Sequence, residues 1–206
     1  MQNASHLALK ISPAAAPALA QRSHHALSHA RVEAHSHSAP ANHSAFGTLM
    51  QAQDIVRQLR LQPHPEGGWY RELYRSGREV LTSGAARSAL TSIYYLLERQ
   101  QLSRWHVVDA DEVWHFYGGA PLDLFAYDPA SGQLVHSQLT AAGEGGEPVG
   151  VVPATVWQAA RTQGDYSLVG CSVGPGFEYS GFRFVASLPG HAEHFRGELG
   201  ALRELL

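Results

Sequence analysis

The chain contains very little sulfur, with one cysteine, Cys171, and two methionines among 206 residues. A single cysteine excludes an intrachain disulfide and a cysteine-rich zinc site, so the folded state must depend on packing. Apolar stretches are short, and none approaches the roughly 20 residues that a membrane-spanning helix needs. Basic residues are outnumbered by acidic ones, 15 against 18. This balance gives no broad positive field for a phosphate backbone and argues against nucleic acid as a main partner.

What is present is unevenly distributed. Residues 1–49 hold seven of the 13 histidines and one aromatic residue, whereas all four tryptophans lie between Trp69 and Trp157. The first segment is rich in Ala, Ser and His without sustained periodicity, which is typical of disorder. We therefore predict a low-complexity tail over residues 1–49 and one folded domain over residues 50–206.

Three interpretations of the tail remain open. Its many Ser and Ala residues and few acidic ones fit an organellar targeting peptide. It also fits a plain disordered extension, or an upstream start codon that is not used, because Met50 stands where domain-like sequence begins. We expect a cytoplasmic protein, or an organellar one if the tail is a targeting peptide.

The domain has the pattern of short strands framed by helices. Leu49, Ala52, Ile55, Val56 and Leu59 recur at helical spacing after Thr48, a plausible cap, and a last amphipathic helix is predicted over residues 191–206. Between them, about ten aromatic and β-branched segments are divided by Gly and Pro, which predicts an antiparallel sandwich or small barrel. They span residues 69–74, 89–97, 103–108, 112–117, 122–127, 134–139, 149–152, 156–160, 166–173 and 182–185.

The stretch from Trp105 to Gly119 carries the clearest chemical signal. Two strands joined by the acidic turn 109–111 would place His106 with Val108 on one face, and would align three alternating residues on the next strand. If both faces point to the same side, a histidine and a carboxylate line one aromatic pocket. The three residues of the second strand are Glu112, Trp114 and Phe116.

This pattern resembles the first motif of the cupin superfamily, His-x-His followed by Glu and then Gly. His106, Glu112 and Gly119 fill three of its positions, and Val108 stands at the second histidine. The second cupin motif resembles residues 153–158, where Thr155 replaces its glycine and Gln158 its histidine.

The resemblance is closer to the cupin-5 (DUF985) family, described as predicted sugar-epimerase-like cupins. It rests on residues 64–72, 105–119, 151–160 and 168–177. It implies an all-β cupin barrel, a double-stranded β-helix or jelly roll, with a short N-terminal helix and a C-terminal helical segment. It also implies a homodimer and a small-molecule ligand that is sugar-like or nucleotide-sugar-like.

Metal-free proton transfer is the first chemistry that the resemblance implies. His106 would act as the general base beside a keto group, Glu112 would orient it and tune its pKa, and Tyr70 or Tyr95 would supply the acid. The same pocket without turnover would be a small-molecule binding protein. The third alternative is one divalent transition metal held by His106, Glu112 and Gln158, two of the usual three imidazoles being absent.

Several further residues are assigned by position. The pair Gly67 and Gly68 predicts a tight turn that feeds a strand. His115 is expected outside the pocket, at a subunit contact, because it alternates with Glu112 along the strand. Arg71 and Arg75 are interpreted as surface arginines or as contacts for an anionic ligand. The ligand-binding residues that we predict are Glu72, Tyr95, Trp114, Phe116 and Gln158. The Gly-x-Ser-x-Gly pattern at 170–174 is rejected as a nucleophile elbow, because no helix follows it.

Overall fold

The computed structural model describes residues 51–82 and 84–206. The predicted tail over residues 1–49 and the predicted cap at Thr48 lie outside these residues. The predicted N-terminal helix is present as α1, Ala52–Leu59, and its Asp54 carboxylate accepts a hydrogen bond from the backbone N–H of Gln51 at 3.3 Å. This bond satisfies a donor that the first helical turn leaves open.

All ten predicted strands are present, with ends shifted by one or two residues at most, and the described residues form three further short strands. The thirteen strands are β1 (Gln62–Pro63), β2 (Trp69–Arg75), β3 (Glu79–Thr82), β4 (Ala85–Ser88), β5 (Thr91–Glu98), β6 (Leu102–Val108), β7 (Asp111–Gly119), β8 (Leu122–Asp128), β9 (Gln133–Leu139), β10 (Val149–Val152), β11 (Trp157–Thr162), β12 (Tyr166–Gly174) and β13 (Phe182–Phe184).

The strands form two antiparallel sheets that face each other, and a separate hairpin of β3 and β4. The larger sheet has the order β1-β2-β5-β12-β7-β10, and the smaller one has the order β13-β6-β11-β8-β9. Alternation along each strand separates an inner from an outer face. One apolar cluster fills the space between the sheets, and its fully buried members include Tyr95, Trp114 and Leu139. This is the predicted all-β jelly-roll architecture.

The outer faces of both sheets are also covered. Ile55 and Val56 of α1 pack with Leu96 on the larger sheet. The C-terminal segment covers the smaller sheet, where Phe195 and Leu205 pack into a cluster. Cutting either covering segment away would expose a second apolar layer to water.

The C-terminal segment is not the continuous helix that was predicted over residues 191–206. It consists of α2 (His191–His194), α3 (Gly197–Gly200) and a final 3₁₀ turn, Arg203–Leu205. The helical period is interrupted by glycine, which lowers helix stability. Apolar contacts with the sheet hold these short pieces in place.

The two strands joined by the acidic turn belong to different sheets. β6 lies in the smaller sheet and β7 in the larger, so residues 109–110 connect the two layers. The predicted faces are nevertheless right. Trp105 and Val107 of β6 point to the outer cluster, and His106 faces inward. His115 of β7 lies opposite Gly170 on the neighbouring strand and is half-buried; its place at a subunit contact stays a prediction.

Thr155 adopts an unusual backbone conformation in the connection between β10 and β11. Its φ is 69°, in the left-handed region, and its backbone N–H donates to the carbonyl of Val108 at 2.8 Å. A β-branched residue is disfavoured there by roughly 1–2 kcal/mol relative to the right-handed region. The position corresponds to the glycine of the second cupin motif, the residue that this backbone conformation favours.

We expect Thr155→Gly and Thr155→Asn each to raise the free energy of unfolding by about 0.5–1 kcal/mol, because both residues tolerate a positive φ. Thr155→Val keeps the branched Cβ and serves as the matched control, without stabilisation. Urea unfolding monitored by tryptophan fluorescence measures all three. Equal stability of the glycine and valine variants would contradict the assignment of strain to φ.

Candidate functional site

A cavity of about 170 Å³ opens between the two sheets at one end of the barrel. The smaller sheet contributes His106 and Val108, and the larger sheet contributes Tyr70, Glu112 and Cys171. The predicted meeting of His106 and Glu112 in one pocket is confirmed. The segment after β12 supplies a further wall, with residues 177–179 and then Phe182.

His106 is fixed in one tautomer by its neighbours. Its Nδ1 lies 2.8 Å from the carbonyl oxygen of Arg104, which can only accept, so Nδ1 carries the proton. The ring is 2% exposed and stacks on Phe182 with centroids 5.2 Å apart. Among the described residues no hydrogen bond involves Nε2. The neutral ring therefore offers an unprotonated Nε2 at the cavity wall.

A buried carboxyl group stands next to the same ring nitrogen. Glu66 Oε2 lies 3.0 Å from His106 Nδ1, and Ser103 Oγ donates to Glu66 Oε1 at 3.1 Å. Glu66 reaches this position because the turn before β2 folds tightly, with φ of 116° at Gly67. A Cβ on Gly67 would clash with the backbone oxygen of Leu102, so only glycine fits the turn.

Glu112 is held by a different set of partners. Gln158 Nε2 donates to Glu112 Oε2 at 2.7 Å, and Trp114 Nε1 donates to Gln158 Oε1 at 3.1 Å. All three side chains are buried. This chain of hydrogen bonds fixes the carboxyl group of Glu112. We predicted that Glu112 would orient His106, whereas Arg104 and Glu66 are the groups beside its Nδ1.

Burial sets the protonation behaviour of these groups. It raises the pKa of the Glu66 and Glu112 carboxyls, because a charge is poorly solvated between the sheets. Burial lowers the pKa of His106 for the same reason, and the negative field of Glu112 partly opposes it. The pKa of His64, which lies 3.6 Å from Glu66, is also lowered by burial. His106 is thus neutral at physiological pH, as a general base must be.

The predicted ligand-binding residues divide into two groups. Tyr70 and Glu72 line the cavity. The others are in the interior behind it: Phe116 packs against the inner cluster, Tyr95 and Trp114 belong to that cluster, and Gln158 is buried beside Glu112. Tyr95 donates its hydroxyl to the carbonyl of Gly67 at 2.8 Å, so it supports the turn and is not placed to protonate a ligand.

The sequence interpretation missed part of the wall. Glu66, His64, Cys171 and Tyr179 line the cavity and were not assigned to the site. One sequence feature could have indicated His64 and Glu66, the run His64-Pro65-Glu66-Gly67-Gly68. A tight turn at the two glycines holds the neighbouring histidine and glutamate in a fixed position. Arg75 also lines the cavity, whereas Arg71 lies 5.6 Å over the ring of Tyr94.

Two arginines hold the mouth of the cavity. Arg75 on β2 donates to the carbonyl of Phe177 at 3.2 Å and pairs with Glu72 and Glu178. Arg87 on β4 donates to the carbonyl of Gly176 at 2.5 Å and pairs with Asp109 at 2.8 Å. The segment 176–178 is therefore attached to two strands through its main chain.

The donor set does not suit the metal that the resemblance allowed. Gln158 accepts from Trp114 with its oxygen and donates to Glu112 with its nitrogen, so both ends of its amide are already engaged and a metal would have to compete with these bonds. Within residues 51–82 and 84–206, no three His, Cys, Asp or Glu side chains converge as metal ligands.

The fold and these motifs agree with a known family. A family model described as "Cupin superfamily (DUF985)" matches residues 53–185. The chain therefore belongs to this family of cupins. No curated protein matches the chain. Among the described helices, none combines the length and apolar character that crossing a membrane requires.

Two solved structures show the same fold at substantial identity. A protein from Shewanella oneidensis is 33% identical with a TM-score of 0.65, over 76% of this chain and 98% of that one. A hypothetical protein from Leishmania major is 32% identical with a TM-score of 0.60, over 65% of this chain and 86% of that one. Neither description states an activity.

The electrostatic coupling in the cavity can be measured on His106. Replacing Glu112 by Gln removes a negative charge that favours the imidazolium, so we expect the already lowered pKa of His106 to fall further. Histidine ring NMR across a pH titration measures the shift. Glu144→Gln, at an exposed loop position outside the cavity, is the control and should leave His106 unchanged. A rise in the pKa of His106 in Glu112→Gln would refute this coupling.

Proposed function

We propose that the protein is an isomerase or epimerase-like enzyme that moves a proton on a sugar-like small molecule. The observation that carries this proposal is the tautomer of His106. Its proton is held at Nδ1 by Arg104, and its Nε2 has no hydrogen-bond partner among the described residues. A buried, neutral imidazole in a small cavity is suited to remove a proton from a carbon beside a carbonyl group.

Glu66 stabilises the charged form of this base from the Nδ1 side of the ring, away from Nε2. When Nε2 takes the proton, the ring becomes positive, and a carboxylate 3.0 Å from Nδ1 stabilises that charge. The arrangement follows the general logic in which a third group orients the base and stabilises its charged form. Glu66 thus acts as a positioning residue through His106, without a role at the reacting carbon.

Tyr70 is our candidate for the acid that returns a proton. It lies on β2 of the larger sheet, opposite the sheet that carries His106, so the two groups approach a ligand from different walls. Such placement suits inversion, in which one face loses the proton and the other gains it. Tyr179 stays protonated beside it, because partial burial and a hydrogen bond with Tyr70 raise the pKa of Tyr179 to about 12.

The test is hydrogen exchange in deuterated water with a panel of keto and aldehyde sugars, followed by NMR. We expect solvent deuterium to enter at the carbon beside the carbonyl in at least one of them. His106→Asn should slow exchange by about 10²–10⁴-fold, the usual contribution of a general base. Glu66→Gln should give a smaller loss with little change in KM, because it acts on the charge of the ring.

The control variant is His136→Asn, which changes a half-exposed histidine outside the cavity. It should exchange like the unchanged protein. The contrary outcome is a sugar that binds, as measured by calorimetry, without deuterium exchange and without any turnover that His106→Asn reduces. That outcome would favour the alternative of a non-catalytic binding protein. The homodimer that the resemblance implies stays a proposal, and light scattering measures it.

A further inference from the structure

The charged groups of the cavity are strongly unbalanced. Among the described residues, the carboxylates of Glu72 and Glu178 stand at the mouth against the single guanidinium of Arg75. Two further carboxyl groups, from Glu66 and Glu112, line the inner wall, where burial raises their pKa. The two histidines of the wall are kept neutral by burial. A ligand therefore meets more negative than positive charge at the mouth, and no cation among the described residues of the inner wall.

Arg75 is the one cation that the described part of the chain contributes to the cavity wall, and its guanidinium is already fully paired. Arg75 Nη2 lies 2.9 Å from Glu72, its Nη1 lies 3.2 Å from Glu178, and both nitrogens donate to the carbonyl of Phe177. A phosphate group would have to displace two carboxylates to reach it. Binding an anion by Arg75 would leave those carboxylates unpaired beside the anion.

The inner end of the cavity points to a ligand of a different kind. His106 is 2% exposed and lines the cavity. No described residue forms a hydrogen bond with its Nε2. An unpartnered acceptor of this kind needs a donor, such as a hydroxyl or amine group. The rings of Tyr70 and Tyr179 add faces on which a sugar ring or a cation can rest.

The size of the cavity restricts the ligand further. Its volume of about 170 Å³ is below the roughly 300–1,000 Å³ of sites that enclose drug-sized molecules. It can enclose a group the size of one sugar ring, whereas a nucleotide and its diphosphate would remain at the acidic mouth formed by Glu72 and Glu178.

We propose that this cavity takes an unphosphorylated ligand of monosaccharide size that is neutral or carries an amine, and that its acidic wall excludes phosphate esters and nucleotide-linked sugars. The inference deepens the proposed function, on which it rests for the sugar-like character of the ligand. The charge selection itself does not depend on turnover.

Cys171 provides a direct probe of this selection. It is the only cysteine in the chain and it lines the cavity, so modification reports on one known place. Three methanethiosulfonates of similar size differ in charge: the aminoethyl, hydroxyethyl and sulfonatoethyl reagents. Each transfers its thioalkyl group to the thiolate, forms a mixed disulfide and releases methanesulfinate. The thiol loses its proton to solvent.

The rate of each reaction is followed by mass spectrometry at one alkaline pH, and is divided by the rate with the same chain unfolded in urea. This ratio removes the intrinsic reactivity of each reagent. Burial raises the pKa of the folded Cys171 thiol, and this effect cancels when the ratios of the three reagents are compared with one another. We expect the sulfonate to react about tenfold more slowly than the hydroxyl reagent at low salt, and the amine at least as fast as the hydroxyl reagent. Added salt should narrow the difference.

Glu72→Gln and Glu178→Gln each remove a carboxylate from the mouth and partly release Arg75. Both should speed the sulfonate reagent several-fold and leave the hydroxyl reagent unchanged. Glu144→Gln, outside the cavity, is the matched control and should change none of the ratios.

A sulfonate ratio equal to or above the hydroxyl ratio in the unchanged protein would overturn the proposal, whatever the variants do. The result is independent of the proposed catalysis. Charge selection without deuterium exchange would support a neutral or cationic ligand and refute the proposed enzyme. Deuterium exchange without charge selection would support the enzyme and refute the charge selection.

Discussion

The contact between His106 and Glu66 connects the two layers of the barrel at the point where the cavity forms. One residue lies on a strand of the smaller sheet, and the other lies in the turn that leads into the larger sheet. The turn is fastened from both sides, since Tyr95 donates to the carbonyl of Gly67 and Arg104 donates to the carbonyl of Glu66. The ring and the carboxyl group are therefore held by backbone geometry, and their mutual approach does not rely on their own attraction.

Such a contact opposes folding as much as it supports it. Buried ionisable groups lose hydration, and close pairing returns only part of that cost. This loss of hydration lowers the pKa of His106 and raises the pKa of Glu66 and of Glu112, so each group favours its neutral form. Three apolar clusters, one between the sheets and one on each outer face, supply the opposing free energy. The buried polar groups of the site are thus destabilising, and the well-packed barrel tolerates them. Shifted pKa values of this kind are common at functional sites.

The sequence predicted the strands and the face of each strand well, because a period of two survives in short segments. It placed His106 and Glu112 in one cavity for that reason. Alternation does not say how far along a strand the open space extends, so Tyr95 and Trp114 were assigned to the ligand although they fill the core. Glu66 was missed because its burial arises from contacts with Ser103 and Arg104, almost forty positions away. The β3–β4 hairpin was missed because its exposed residues show no hydrophobic pattern.

The mouth of the cavity is attached through carbonyl oxygens of Gly176 and Phe177, which two arginines grip from β2 and β4. Every amino acid carries the same carbonyl group, so the contact of Arg75 with the main chain does not depend on the side chain of residue 177. Exchanging the rings at positions 177 and 179 would change the wall of the cavity while the barrel, the base and the two arginine contacts keep their positions. A family built in this way can acquire new ligands by exchanging a few rings at its rim, without redesigning the scaffold beneath.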